Sequence, residues 1–280
     1  LHGLSIQRLR SYITERFLFR DGFYQTGDLY SSAFNMRISA ASNVNIKIKA
    51  AKAGFFGIAV ERVDQITDSC YLEAGEEYTL KSNSHIEGSG NTMYVLGANK
   101  IAEIDISDGT VSESGWNISE LKLLRKFTIG GENYKPTTIT AGALKNLSLG
   151  SMPVLEELDI RNTEITSVNA TYCPRLVSLK ATGSSLATLA LAETSPISEL
   201  QLPATMSTLS FVNLPNLSYP NGNLVIEGFR ALKSLTISGC DKINPQEMLQ
   251  NAMAENAKLN TISISGLNVI ASIDILQSLK

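Results

Sequence analysis

The chain is 280 residues long, room for one or two domains with a sizeable core, and carries a formal net charge of −3 with a pI near 5.6. That balance gives no basic footprint for nucleic acid or an anionic membrane, and no apolar run approaches the roughly 18 residues of a bilayer span. Charged residues make up only 18% while Ser, Thr and Asn are abundant, which suits a β-rich surface of short polar side chains.

In chain order, the first element is a stripe of Ile6, Leu9, Ile13 and Phe17 at helical spacing. Residues 4–20 are therefore expected to form an amphipathic helix, ended by Asp21-Gly22. Its other face carries Arg8, Arg10, Arg16 and Arg20 against a single Glu15, which reads either as a solvated face or as a docking element for an acidic neighbour. Residues 21–34 have no periodicity and complete a first segment, 1–34, as a connection.

From 35 to 107 the period changes to two. Val44, Ile46 and Ile48 alternate with Asn45, Lys47 and Lys49, and Tyr78 and Leu80 with Thr79 and Lys81. Further strands are expected at 35–39, 55–62, 92–96 and 101–107, divided by turn signals such as Ala53-Gly54, Ala74-Gly75 and Asp108-Gly109. Six or seven short alternating strands predict a compact antiparallel β-sandwich over 35–109. Phe55, Phe56, Tyr71, Tyr78 and Tyr94 fall within or beside the apolar alternation, which favours core positions over a sugar-binding platform.

Residues 110–280 are expected to form a solenoid with two short strands per coil of about 21 residues. Hexads of the form apolar-x-x-apolar-x-apolar fall into two interleaved ladders. The first runs Leu144-Leu147-Leu149, Ile165-Val168-Ala170, Leu186-Leu189-Leu191, Met206-Leu209-Phe211, spaced 21, 21 and 20. The second runs Leu155-Leu158-Ile160, Leu176-Leu179-Ala181, Ile197-Leu200-Leu202, spaced 21 and 21. The last two apolar residues of a hexad share one face of a short strand, and stacked coils place each strand against its copies. Pro153, Pro174, Pro196 and Pro215 recur at the coil corners, where a preset bend without an N–H is tolerated.

Leu124-x-x-Phe127-x-Ile129 stands twenty residues before Leu144 and is assigned to the first ladder, with Trp116 packing over that end as a cap. Asn244-Pro245-Gln246-Glu247 is a helix start, so a helix is expected near 245–258, followed by another hexad, Leu259-Ile262-Ile264.

Outward positions differ between the ladders. The first shows Asn146, Ser148, Ser167, Asn169, Thr188, Ala190, Thr208 and Ser210, a neutral short-chained face. The second shows Glu157, Asp159, Ser178, Lys180, Glu199 and Gln201, a mildly acidic one. Arg8, Arg10, Arg16, Arg20, Glu157, Asp159, Lys180, Glu199 and Gln201 are the candidate interaction residues. His2 and His85 are isolated, and no HExxH, GxSxG, P-loop or Cys–His arrangement occurs. No catalytic, cofactor-binding or metal residue is assigned, and the chain is not expected to be an enzyme. Cys70, Cys173 and Cys240 form no CxxC and read as small packing residues.

Leu155-x-x-Leu158-x-Ile160-x-x-Thr163-x-Ile165 and Leu176-x-x-Leu179-x-Ala181-x-x-Ser184-x-Leu186 resemble the core pattern of the leucine-rich repeat family. The family places Asn where Thr163 and Ser184 stand, and Leu232-x-x-Leu235-x-Ile237-x-x-Cys240 carries the permitted Cys, so the resemblance is to an irregular bacterial type. The opening Leu1-His2-Gly3, Gln7-Arg8-Leu9 and Arg16-Phe17-Leu18-Phe19-Arg20-Asp21, ahead of a small sandwich and irregular repeats, resembles a segment of the large muzzle-type structural tail proteins of crAss-like Bacteroidales phages. This second resemblance implies a virion tail component, assembled as a homo-oligomeric ring with other tail proteins and cut from a longer polypeptide. The rival reading is a bacterial cell-surface leucine-rich-repeat adhesin that binds host protein or glycan.

Overall fold

The computed structural model describes residues 34–38, 44–60, 66–82, 91–136, 142–193 and 195–266. The helix expected over 4–20 lies outside them. The chain divides into two compact units, Leu1–Thr128 with Lys135–Leu144, and Ile129–Tyr134 with Lys145–Lys280.

In the first unit the strands are β1 (Phe34–Ile38), β2 (Asn45–Ala50), β3 (Gly54–Val60), β4 (Ile66–Leu72), β5 (Glu77–Lys81), β6 (Asn91–Leu96), β7 (Ile101–Asp105), β8 (Val111–Asn117) and β9 (Lys126–Thr128). One sheet has the order β4-β3-β6-β1-β8; in another the order runs β5-β2-β7-β9. Ile46, Ile48 and Leu80 point inward as the period of two predicts, each at most 1% exposed, whereas Tyr78, expected in the core with Leu80, is 38% exposed with its hydroxyl on Asp68. β3 is buried along its whole length, as its Gly-Phe-Phe-Gly-Ile-Ala-Val run allows.

Two strands were not expected. β4 carries Thr67, Asp68 and Ser69 in its middle, which hides any alternation. Those polar groups secure the neighbouring sheet edge instead. The Lys81 N–H donates to Asp68 Oδ2 at 2.9 Å, Thr67 Oγ1 donates to the Lys81 carbonyl at 3.2 Å, and the Tyr78 hydroxyl donates to Asp68 at 3.4 Å. An edge strand capped this way offers fewer free groups to a stray strand. β8 comes from residues expected to cap the solenoid, yet it pairs antiparallel with β1.

β7 is the strand where antiparallel pairing gives way to parallel. It pairs antiparallel with β2 and parallel with β9. Ile101-x-x-Ile104-x-Ile106 is itself an apolar hexad, all three buried to within 1%. Phe127 therefore stacks beside Ile104, and its strand does not join the first ladder to which the spacing had assigned it. Trp116 does pack on it, with the rings stacked at 6.2 Å and 7°.

The second unit is a β-solenoid, and the described residues hold about 7 solenoid turns. Its strands are β10 (Asn146–Ser148), β11 (Glu157–Asp159), β12 (Ser167–Ala170), β13 (Ser178–Lys180), β14 (Thr188–Leu191), β15 (Glu199–Leu202), β16 (Thr208–Val212), β17 (Leu224–Ile226), β18 (Ser234–Ser238) and β19 (Thr261–Ser265). The second ladder is continuous: Leu158, Leu179, Leu200 and Leu224 are register partners along β11-β13-β15-β17. The first ladder forms two sheets, β10-β12-β14 and β16-β18-β19. The break falls where the spacing shortens to 20, although the Ser207 N–H still donates to the Ala187 carbonyl at 3.0 Å.

Corners follow one local rule. The leucine two residues after a corner proline donates its N–H to a carbonyl three residues back: Leu155 to Met152 and Leu176 to Cys173, each opening a hexad, and Leu217 to Leu214, at 3.2–3.3 Å. Pro153, Pro174 and Pro215 occupy the second position of these turns, where a fixed φ is favourable. On the preceding corner, Asn162, Gly183, Asn213 and Gly239 take positive φ of 62°, 69°, 54° and 62°. Short hydroxyls then close the coil. Thr163 Oγ1 donates to Ile160 O at 2.8 Å and Ser184 Oγ to Ala181 O at 2.6 Å, each only 4% exposed.

Helix α1 (Pro245–Ala254) starts as expected, with the Asn244 side chain accepting the Glu247 N–H at 3.3 Å. It stops four residues short of the expected end. Asn256 turns to φ 59°, and the N–H groups of Asn256 and Ala257 close back on Met253 and Ala252. That double bond pattern is a Schellman stop with Asn in the left-handed position.

Candidate interaction faces

The second ladder brings together all five of its candidate residues. Register places Asp159, Lys180 and Gln201 in one row across β11-β13-β15, and Glu157, Ser178 and Glu199 in the adjacent row. Glu199 is the hub. It accepts from the Ser178 hydroxyl at 2.7 Å and from Gln201 Nε2 at 2.9 Å, with Lys180 Nζ at 3.5 Å. The Ser178 hydrogen bond, helped by Lys180 and Gln201, holds the Glu199 carboxyl below its ordinary range despite partial burial.

Arg161 was missed by sequence reasoning. It forks onto the Asp159 carboxylate through Nε at 3.1 Å and Nη2 at 2.7 Å, and this bond raises the guanidinium's pKa further. Asp159 and Arg161 are neighbours on one strand and its corner, so a residue two positions along was the available signal. With Arg161 and Lys180 in place, the acidity of this face is largely answered within it.

The first ladder presents rows of short polar side chains: Thr208, Ser234 and Thr261, then Ser210, Thr236 and Ser263. Some are tied to each other, Ser167 Oγ to Asn146 Oδ1 at 2.8 Å and Ser265 Oγ to Ser238 Oγ at 3.0 Å.

In the first unit, the face of β5-β2-β7-β9 opposite Ile48 and Ile104 is charged, and no sequence reading singled it out. Lys47 and Lys49 stand on β2, Glu103 and Asp105 on β7, Glu77 on β5 and Lys126 on β9, around a shallow depression of about 160 Å³. Lys47 pairs with Glu77 at 2.8 Å, and Lys49 with Glu103 at 3.0 Å and Glu77 at 3.7 Å. These hydrogen bonds and charges lower the Glu77 pKa and raise those of both lysines. Same-sign pairs two residues apart on successive strands were the signal, but their pairing needs the register.

Arg8, Arg10, Arg16 and Arg20 lie outside the described residues. Among the described residues no group of three or more His, Cys, Asp or Glu side chains could hold a metal ion, and no helix is long and apolar enough to cross a membrane. The Cys173 thiol is pushed up to about 11, chiefly by burial in the corner stack. No protein-family model matches the chain, and comparison with curated proteins and with solved structures returns no match.

Proposed function

We propose that this chain is a non-enzymatic assembly module, and that it serves as a structural component of a phage virion tail. The observation that carries the first statement is the row structure of the outward faces. Side chains from successive strands sit in register about 4.8 Å apart and are already hydrogen-bonded to one another. Such a surface is pre-organised for broad, individually weak contacts that add up when many copies engage. The tail reading rests on the resemblance of the opening residues and the order of elements. The finer fold belongs to the same proposal: an irregular leucine-rich repeat preceded by a sandwich, the latter supported by the Asp68 and Thr67 bonds between the edge strands β4 and β5.

The experiment replaces Arg8, Arg10, Arg16 and Arg20 with Ser in the parent particle. Loss of incorporation with an unchanged melting profile supports docking through that stretch, and normal incorporation rejects it. The adhesin reading is favoured by the neutral hydroxyl rows of β16-β18-β19, which could meet a glycan. Tight, monomeric binding on a glycan array would put that reading first.

A further inference from the structure

Two rows cross the charged face of β5-β2-β7-β9 in register. One reads Glu77, Lys49, Glu103, Lys126, alternating in sign over four strands. The other reads Thr79, Lys47, Asp105, Thr128, a cation and an anion between two hydroxyls. Read backwards, the first row has the opposite charge at every place, and the second exchanges its cation and anion. A two-fold axis lying in the face, along the strands and between β2 and β7, performs that reversal for both rows at once. It sets Lys49 opposite Glu103 of a second copy, Glu77 opposite Lys126, Lys47 opposite Asp105, and Thr79 opposite Thr128.

We propose that this face docks a second copy of the chain in an isologous, charge-complementary dimer. An isologous contact uses one patch twice, and a row that complements its own reversal meets that requirement. The side chains concerned remain available to a partner: Lys47, Lys49, Glu77 and Glu103 are 35–58% exposed at the side chain. The internal pairs hold them upright in the face without burying them. A uniformly acidic or basic partner fits poorly, because it meets three charges of its own sign for every three of the opposite one. The contacts across the axis are between solvated charges that salt screens, so the dimer is weak and salt-dependent. The inference rests on the first unit alone and stands or falls apart from the tail reading.

The test is sedimentation velocity on the full chain across a concentration series, at about 50 mM and about 500 mM salt. Wild-type chain is expected to self-associate at low salt and to dissociate at high salt. Lys49→Glu and Glu103→Lys each put like charges face to face across the axis and are expected to weaken self-association about tenfold or more. Mixed one to one, the two variants restore opposite charges and are expected to form a heterodimer at least as well as the wild type. Circular dichroism confirms that each variant is folded, and the mixture controls for local damage. A wild-type chain that stays monomeric at low salt, or a mixture no better than either variant alone, overturns the proposal.

Discussion

Asn162 Oδ1 stands where a Cβ on Gly183, one coil later, would have to be, and both residues hold a left-handed backbone at φ 62° and 69°. Asn213 and Gly239 repeat the relationship, with Asn213 Oδ1 only 2.6 Å from the place of such a Cβ. Asn162 spends its other amide atom on the preceding corner, Nδ2 donating to the Gly131 carbonyl at 2.8 Å. Corner backbone and side-chain stacking are thus one feature. Gly183→Ala is expected to cost about 1–2 kcal/mol from its backbone conformation alone, and more from the collision. In the Asn162→Gly background the collision is gone, so the double variant should lose less than the sum of the singles. Urea unfolding of the four proteins checks this, and strict additivity would contradict the contact.

Ser195 directly precedes the corner proline Pro196, as Met152, Cys173 and Leu214 precede Pro153, Pro174 and Pro215. It is 3% exposed, and its hydroxyl makes no hydrogen bond among the described residues. Ser195→Ala removes a buried, unsatisfied group and is expected to raise stability by about 1 kcal/mol, read as a higher urea midpoint at unchanged slope. A lower midpoint would mean that the hydroxyl has a partner.

Leu158→Asp or Leu179→Asp puts a carboxylate into the centre of the second ladder, where both side chains are at most 1% exposed. Either change is expected to abolish cooperative melting of the second unit, because no cation replaces the lost solvation. A variant that melts like the wild type would contradict the two-ladder core.

Glu199 titrates below its ordinary value in the folded chain, first because of the Ser178 hydroxyl and next because of nearby Lys180. Its stabilising contribution is therefore full above the unfolded pKa, about 4.3, and is lost as pH falls through the lower folded value. The group is largely solvated, so the effect on stability is small. Ser178→Ala should move the carboxyl back up toward its ordinary pKa in an NMR titration, and an unmoved titration would assign the shift elsewhere.

Much of the solenoid was legible because its rules are local. Most hexads name their own inward residues, although Ile264 of the last one is 39% exposed; a proline marks its own corner, and Asn244 ahead of Pro245 starts α1 without outside help. What failed to show depends on distant chain. The hexad ending at Ile129 has the same appearance whichever sheet it joins, and only pairing with β7 placed Phe127. β4 hides because Thr67 and Asp68 are used for bonding to β5 rather than for solvent exposure. The row Glu77-Lys49-Glu103-Lys126 draws on four separate strands, so its sign alternation exists only once the register is known.

Cross-linking mass spectrometry on intact parent particles tests the assembly role most directly. The account predicts the chain among the tail proteins of purified virions, with Lys47, Lys49 or Lys180 cross-linked to neighbouring chains. Recovery of the chain from the bacterial envelope, with no cross-link to any tail protein, would contradict it.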